Sequence, residues 1–533
     1  MALITILDGY VDEPSMLGVP PYISPYVRST AGAVLDAGHR YEYITIDSYR
    51  AGRRPKGELL VLISGAMVPG RYLRGMPASM KEMARIFSDF SGQSVLAGPV
   101  AKYGNEDELR KLGPDFILRG DPAAGLYDLL DSGTETRRKM TAEEWNRWLL
   151  MGADVVKEHP DFPAPLIAEI ETSRGCIRYL SGGCAFCTEP LFGRPVFREP
   201  GDIVAEATAL SKLGVKRFRL GGQACIFSYM ADGVGRTERP VPNPDVMEEL
   251  FSALHALKPE VLHADNANPA IIAEHPEEAK KVAEIIVKYS TPGNTLSFGM
   301  ESADPAVVEA NNLNASADEV LAAIKLINGV GAKRGVNGMP ELLPGLNFIA
   351  GLRGETPETY RLNTEFLKGV MDAGLLLRRI NIRQIAETRG EFPGPIRKEF
   401  MRFKTWVREN IDRPMLVRMI PQGTVLRDVY LELNRGGITF GRQVGSYPIL
   451  VGLPYRAEIN RFVDVIITDH GQKSITGVEY PVDINTASMG QLQAVPGIGK
   501  KRAATIVRGR PWGSVEDMLA AVELDAEDAK WFR

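Results

Sequence analysis

The sequence predicts an α/β protein: a doubly wound N-terminal domain, a partial (β/α)6 barrel, a small β-barrel domain and a C-terminal α-helical hairpin module. Three observations carry that reading. Short apolar runs alternate with helical stretches in two successive series, the pattern of parallel sheets covered by helices. After residue 400 the alternation gives way to β-rich runs with Gly and Pro turns every 8 to 12 residues, as in small barrels or sandwiches. From 483 onward the chain is helical and contains a Pro-Gly-Ile-Gly turn.

In the first series the apolar runs are 2–7, 41–47, 59–64, 94–98 and 116–120, each closed by Gly, Asp or Ser. Helical stretches such as 26–37 and 79–90 lie between them, giving a doubly wound domain over 1–130. Ligands of such sheets bind beyond the strand C-termini. A charged, mostly helical connector fills 131–165 and ends in HPDFPAP. The second series, 166–390, has strands at 166–171, 217–222, 261–266, 296–301, 346–351 and 378–385. Its helices are 201–213, 243–256, 276–288, 316–328 and 356–373. Active sites of parallel barrels collect at the C-terminal ends of the strands. A small β domain is expected over 400–481 and the hairpin module over 482–533.

Of 533 residues, 44% are apolar and 24% charged, the composition of a folded globular protein. The net charge of −4 means that any polyanion site must come from local clustering. No apolar run approaches the ~18 residues of a spanning helix. The start, MALITILDGY, lacks a basic region followed by a long apolar stretch. The expectation is a cytoplasmic protein with no membrane partner.

Three of the four cysteines crowd into ETSRGCIRYLSGGCAFCTEP. Seven residues separate Cys176 from Cys184 and two separate Cys184 from Cys187, just after the first barrel strand. A disulfide scaffold would spread its cysteines. Three thiolates from one loop can hold a four-iron cluster and leave one iron open for a substrate or cofactor. Zinc is the competing reading, but a structural zinc site takes four ligands, and the obvious fourth thiolate is only Cys225. For Cys225 itself, an ordinary buried cysteine is favoured over a second catalytic thiol or a fourth ligand.

RGC…GGCAFC on the first strand of a six-unit βα barrel resembles the radical S-adenosylmethionine (SAM) superfamily, with Phe186 as the aromatic before the last cysteine. The first cysteine gap is longer than the family's usual one. The resemblance implies a [4Fe–4S] cluster on Cys176, Cys184 and Cys187 as metal ligands. Its open iron binds SAM, and reduction cleaves SAM to a 5′-deoxyadenosyl radical. It also implies cofactor contacts one position at a time. Gly221, Gly222 and Gln223, in RLGGQ, match the segment along the SAM methionine, with Gln in place of the usual acid. Glu301 and Ser302, in FGMES, match ribose-contacting positions, and Gly351, in NFIAGLRGET, matches the stretch passing adenine. Asn266 is expected to face the same cavity. No residue is assigned as a catalytic acid, base or nucleophile.

The flanks refine the resemblance. An α/β domain ahead of the barrel, ending in PDFILRGDPAAGLYDLL (114–130), resembles the cobalamin-binding domain of cobalamin-dependent radical SAM enzymes. The Asp-x-His-x-x-Gly motif is absent, since His39 in DAGHRYE is misplaced for it, so cobalamin is disfavoured as a cofactor. The domain has no cysteine for a second cluster, which counts against methylthiotransferase chemistry. Residues 415–480 resemble the β domains of RNA-modifying members, and Arg402, Lys404, Arg408, Arg413, Arg418, Arg427, Arg435 and Arg442 outnumber the acids nearby.

The segment LQAVPGIGKKRAATIV (492–507) resembles a helix–hairpin–helix. Gly497 and Gly499 let the backbone approach a phosphate, and Lys500, Lys501 and Arg502 add charge at the start of the next helix. The four-part order resembles an archaeal family of radical SAM proteins. The favoured function is modification of a nucleic acid, tRNA first, with ferredoxin or flavodoxin as electron donor. The alternatives are action on DNA, action on a small molecule or protein, and a non-catalytic iron–sulfur protein that binds nucleic acid.

Overall fold

The computed structural model describes residues 1–11, 21–65, 74–386 and 389–533. The chain forms two compact units. The first is Met1–Asn266 with Lys288–Ser290 and Ala386–Gly390; the second is Ala267–Val287, Thr291–Ile385 and Glu391–Arg533.

The first unit begins with β1 (Leu3–Asp8), a two-residue β2 (Tyr22–Ile23), β3 (Arg40–Thr45), β4 (Leu59–Ile63), β5 (Gln93–Ala97) and β6 (Phe116–Ile117). Five of these form a parallel sheet in the order β3-β1-β4-β5-β6. That is the flavodoxin-like order, with its switch point between β1 and β4. Strands β1, β4 and β5 read as near-continuous apolar runs because both faces are covered. The helix Pro25–Asp36 packs on the connector helix Ala142–Met151 through a pair of glycines. A Cβ on Gly32 would lie 2.0 Å from the Trp148 carbonyl oxygen, and one on Gly152 1.9 Å from that of Arg28.

The same unit continues with β7 (Ile167–Glu171), β8 (Ser173–Arg174), β9 (Val196–Phe197), β10 (Arg217–Gly221) and β11 (Val261–Ala264). Their parallel sheet runs β11-β10-β7-β2. Pairing of β2 with β7 was not legible in the sequence, because two residues carry no period. The second unit holds the other three parallel strands, β12 (Asn294–Glu301), β13 (Leu342–Ala350) and β14 (Arg379–Gln384), in the order β12-β13-β14. The six strands of the (β/α)6 reading are therefore present, three in each unit. Many of the helices between strands start with Pro, and four begin with an Asn or Asp cap before it: Asp121-Pro122, Asn243-Pro244, Asn268-Pro269 and Asp304-Pro305. The cap carboxylate or amide accepts from a first-turn N–H, and the proline lacks the N–H that would go unsatisfied there.

Residues 397–419, inside or beside the stretch where a β domain was expected to start, are helical: Arg397–Val407, a π turn Arg408–Asp412 and Arg413–Met419. Phe400, Phe403, Val407, Ile411 and Met415 recur at helical spacing and are buried. Beyond them β15 (Val425–Arg435), β16 (Ile438–Gln443), β17 (Leu450–Leu453), β18 (Arg461–His470) and β19 (Ser474–Glu479) close into a barrel, β15-β16-β17-β19-β18. Its apolar interior is continuous with that of the C-terminal helices. Leu431, Val451 and Ile467 belong to one core with Leu492, Ile506, Met518 and Trp531. The chain end is laced back on itself, Val482 N–H donating to the Trp531 carbonyl at 2.9 Å.

Candidate active site

The cysteine loop leaves the C-terminal end of β7. Its base is fixed by charge: Arg174 on β8 reaches Glu171 Oε2 at 2.7 Å and also pairs with Asp121, while Trp145 Nε1 donates to Glu171 at 3.1 Å. Gly175, Gly182 and Gly183 take positive φ (88°, 84° and 69°). At Gly183 a Cβ would lie 2.2 Å from Pro190 Cγ, so the tight turn before Cys184 requires glycine.

Cys176, Cys184 and Cys187 are half-buried and form no disulfide, and Cys225 is buried. Burial pushes the Cys176 and Cys187 thiols up to about 12, so neither ionises without a cation to hold it. Among the described residues no three His, Cys, Asp or Glu converge as a single metal ion needs. A four-iron cluster does not need that convergence, because each thiolate takes a different iron. The donor set, three thiols on one loop, fits such a cluster. Cys225 follows the end of β10 and lies near enough to Cys176 for the two to repel as thiolates.

Two arginines not singled out from the sequence grip this loop. Arg178 Nη1 donates to Cys184 Sγ at 3.2 Å, and its Nε to Glu238 Oε2 at 3.1 Å. Glu238 Oε1 accepts from Ser181 N–H at 2.9 Å. Arg389 Nη1 donates to the carbonyls of Gly182 (2.7 Å), Cys187 (3.0 Å) and Cys184 (3.4 Å). Arg178 stands two residues after the first cysteine, a signal the sequence offered. Arg389 lies more than two hundred positions away in ETRGEF, and nothing local marks it.

The other expected positions in the first unit divide. Gly222, at φ 75°, is exposed just past β10 and presents bare backbone, whereas Gly221 is buried against Glu169. Gln223 is 1% exposed and its amide is used up. Nε2 donates to the carbonyls of Asp265 (2.8 Å) and Leu220 (2.9 Å), and Oε1 accepts from Thr172 Oγ1 (3.3 Å). It ties β7, β10 and β11 together. Asn266, at φ 56°, donates from Nδ2 to the Gln223 carbonyl at 3.0 Å and so also shapes the loop. Phe186 is half-buried within the cysteine loop.

In the second unit Glu301 ends β12 at a bulge, with φ 62°. Burial raises its carboxyl to about 8, and its Oε2 is buried with no hydrogen-bond partner. Ser302 is buried, and its Oγ accepts from Asp304 N–H at 3.1 Å. Gly351, at φ 94°, ends β13. Its N–H donates to Glu355 Oε2 at 2.5 Å, and a Cβ would lie 2.9 Å from Pro395 N.

The C-terminal turn has Gly497 at φ 81° and Gly499 as the cap of the helix Lys500–Arg508. Lys500, Lys501 and Arg508 are exposed. Arg502 is not offered outward: it donates to the carbonyls of Gly497, Val522 and Glu523, each at 2.8 Å. Arg510 is spent likewise, on Ile484 (2.8 Å) and Ala487 (2.5 Å).

A family model described as Radical SAM superfamily matches residues 170–367, from β7 through the helix Pro357–Asp372. A second, helix-hairpin-helix motif, matches 479–530. An uncharacterized protein of Methanocaldococcus jannaschii is 46% identical over 501 residues, covering 89% of this chain and 92% of its own length. The chain belongs to the radical SAM superfamily. It shares one family with that archaeal relative across nearly its whole length. A ribosomal protein uS12 methylthiotransferase of Elusimicrobium minutum is 29% identical over 218 residues, 39% of this chain and 44% of the other. Among solved structures, the radical SAM methyltransferase TsrM of Kitasatospora setae aligns with 71% of this chain and 72% of its own, at 13% identity and a TM-score of 0.47. The protein is a radical SAM enzyme, and membership implies SAM and a four-iron cluster as cofactors. No helix among the described residues is long and apolar enough to cross a membrane.

Proposed function

We propose that this radical SAM enzyme reductively cleaves SAM at a [4Fe–4S] cluster held by Cys176, Cys184 and Cys187, and modifies a nucleic acid, tRNA before DNA. The observation that carries the reading is the loop itself: three cysteines outside any disulfide at the C-terminal end of a parallel strand, within the span of the superfamily match. The cluster and SAM together supply the radical chemistry when bound; the chain binds, orients and shields.

With the Gln223 amide committed to strand ends, the methionine end of SAM falls to the exposed backbone at Gly222. Glu301 Oε2 is a buried acceptor lacking a donor, which suits a ribose hydroxyl. Gly351, packed too closely against Gly394 and Pro395 to carry a side chain, is the position proposed to pass adenine. Cobalamin remains disfavoured for want of its histidine ligand motif.

Nucleic acid as substrate rests on the C-terminal module. Lys500 and Lys501 stand exposed at a glycine turn that opens a helix, a sequence-independent phosphate grip, and Arg508 is exposed at the other end of that helix. The methylthiotransferase likeness does not favour RNA, since that enzyme is named for ribosomal protein uS12. A low-potential carrier such as ferredoxin or flavodoxin supplies the electron, in the cytoplasm.

The test is anaerobic reconstitution with iron and sulfide, reduction, addition of SAM, and assay of 5′-deoxyadenosine with and without total tRNA. Formation of 5′-deoxyadenosine, stimulated by tRNA, is the expected result. Cys184→Ala is expected to lose both iron and cleavage. A reduced, intact cluster that never cleaves SAM would overturn the chemistry, and stimulation by DNA alone would overturn the choice of tRNA.

A further inference from the structure

We infer that Arg178 and Arg389 are positioning residues for the cluster: Arg178 holds its reduction potential up through a hydrogen bond to a ligand sulfur, and Arg389 holds the loop that carries Cys184 and Cys187. The inference rests on the proposal that this loop binds a [4Fe–4S] cluster.

The contacts are specific. Arg178 is 5% exposed, and its Nη1 points at Cys184 Sγ at 3.2 Å. Its orientation is set from outside the loop by Glu238, which takes Arg178 Nε at 3.1 Å with one oxygen and Ser181 N–H at 2.9 Å with the other. Arg389 belongs to the short return of the chain, Ala386–Gly390, into the first unit. One of its nitrogens meets three carbonyls, two of them on the ligands Cys184 and Cys187. The loop between Cys184 and Cys187 makes a turn of its own, Cys187 N–H to Cys184 O at 3.0 Å, and the same Cys184 carbonyl also faces Arg389 Nη1 at 3.4 Å.

The chemistry follows from charge. A four-iron cluster with three thiolates becomes more negative when it takes up one electron, here from an external low-potential carrier. A hydrogen bond to a ligand sulfur and a fixed cation beside it favour the reduced form. Arg178 supplies both. Arg389 neutralises converging carbonyl dipoles and fixes how far apart two ligands stand, so it governs retention of the cluster more than its potential.

The experiment compares reconstituted full-length wild type with Arg178→Gln, Arg178→Lys, Arg389→Gln and Arg389→Lys. Iron and sulfide content, iron retained under chelator, and the reduced fraction by EPR during a mediated titration with dithionite are read. In Arg178→Gln the ratio of reduced to oxidised cluster at fixed potential is expected to fall about tenfold, equivalent to about 59 mV for one electron. Arg178→Lys keeps a charge and a donor and stays within about threefold. Arg389→Gln is expected to release iron to chelator at least threefold faster with its midpoint unmoved, and Arg389→Lys to recover part of that. A wild-type midpoint in fully loaded Arg178→Gln, failure of Arg178→Lys to load, or wild-type iron retention in Arg389→Gln overturns the inference. A wild type that takes up no iron and sulfide at all overturns it together with the reading beneath it.

Discussion

Glu301 shows how burial sets the state of one group. Its carboxyl titrates near 8 where the ordinary value is 4.5, because desolvation disfavours the anion and its buried Oε2 has no hydrogen-bond donor. The folded form thus binds this proton more tightly than the unfolded form does. Between about pH 4.5 and about 8, stability contributed here is lost as pH rises. Glu301→Gln removes the titration. Wild type and variant are expected to be alike near pH 4.5, and the variant more stable by about 4 kcal/mol at pH 8, read as a pH-dependent difference in Tm. A difference that stays flat with pH would sink the assignment. At this scale the sequence was uneven. The three cysteines were legible because their spacing is itself the signal. Gln223 and Arg502 were not, because what decides their use is carbonyl groups far along the chain, at Asp265 and at Val522 and Glu523.

Among elements, parallel strands and their helices were read well, since apolar runs between Asx-Pro caps announce both a strand end and a helix start. The pieces missed lack such marks: β2 is two residues long, and 397–419 is a helical tract whose apolar period was overlooked beside its basic residues. β19 is short and half polar. On the closed barrel, strands β15 and β16 share a fully buried ion pair, Arg442 with Glu432, each side chain 1% exposed and Nη2 to Oε2 at 2.9 Å. From the sequence, Arg442 counted towards a basic surface; the fold spends it on a core partner instead. Arg442→Met takes the guanidinium partner from the buried Glu432 carboxylate and is expected to cost about 3–5 kcal/mol. Arg442→Met with Glu432→Leu removes both charges and is expected to regain most of that, as measured by thermal unfolding of single and double variants. Equal losses in the two would mean that the pair is not coupled.

For the whole molecule, the proposed chemistry and the proposed substrate grip fall on different parts of the chain. The superfamily match ends at 367, and the hairpin match begins at 479. The hairpin is no loose appendage, because its apolar side chains share one core with the β barrel. Substitutions on its outer face therefore leave folding alone, while Arg502, bound to three carbonyls, belongs to the scaffold. This separates two predictions that the run Lys500-Lys501-Arg502 would otherwise merge. Lys500→Ala with Lys501→Ala is expected to keep Tm and tRNA-free SAM cleavage, and to weaken tRNA binding. Each lost phosphate contact lowers the slope of log K against log salt by about 0.7 to 0.9, so the double variant loses about 1.5. Arg502→Ala is expected to lower Tm first and binding only as a consequence. Binding isotherms over a salt series for both variants, beside their melting curves, make the check. An unchanged slope in the lysine variant would place the phosphate contacts elsewhere, and with them the argument that the C-terminal turn, rather than the barrel, selects a nucleic acid.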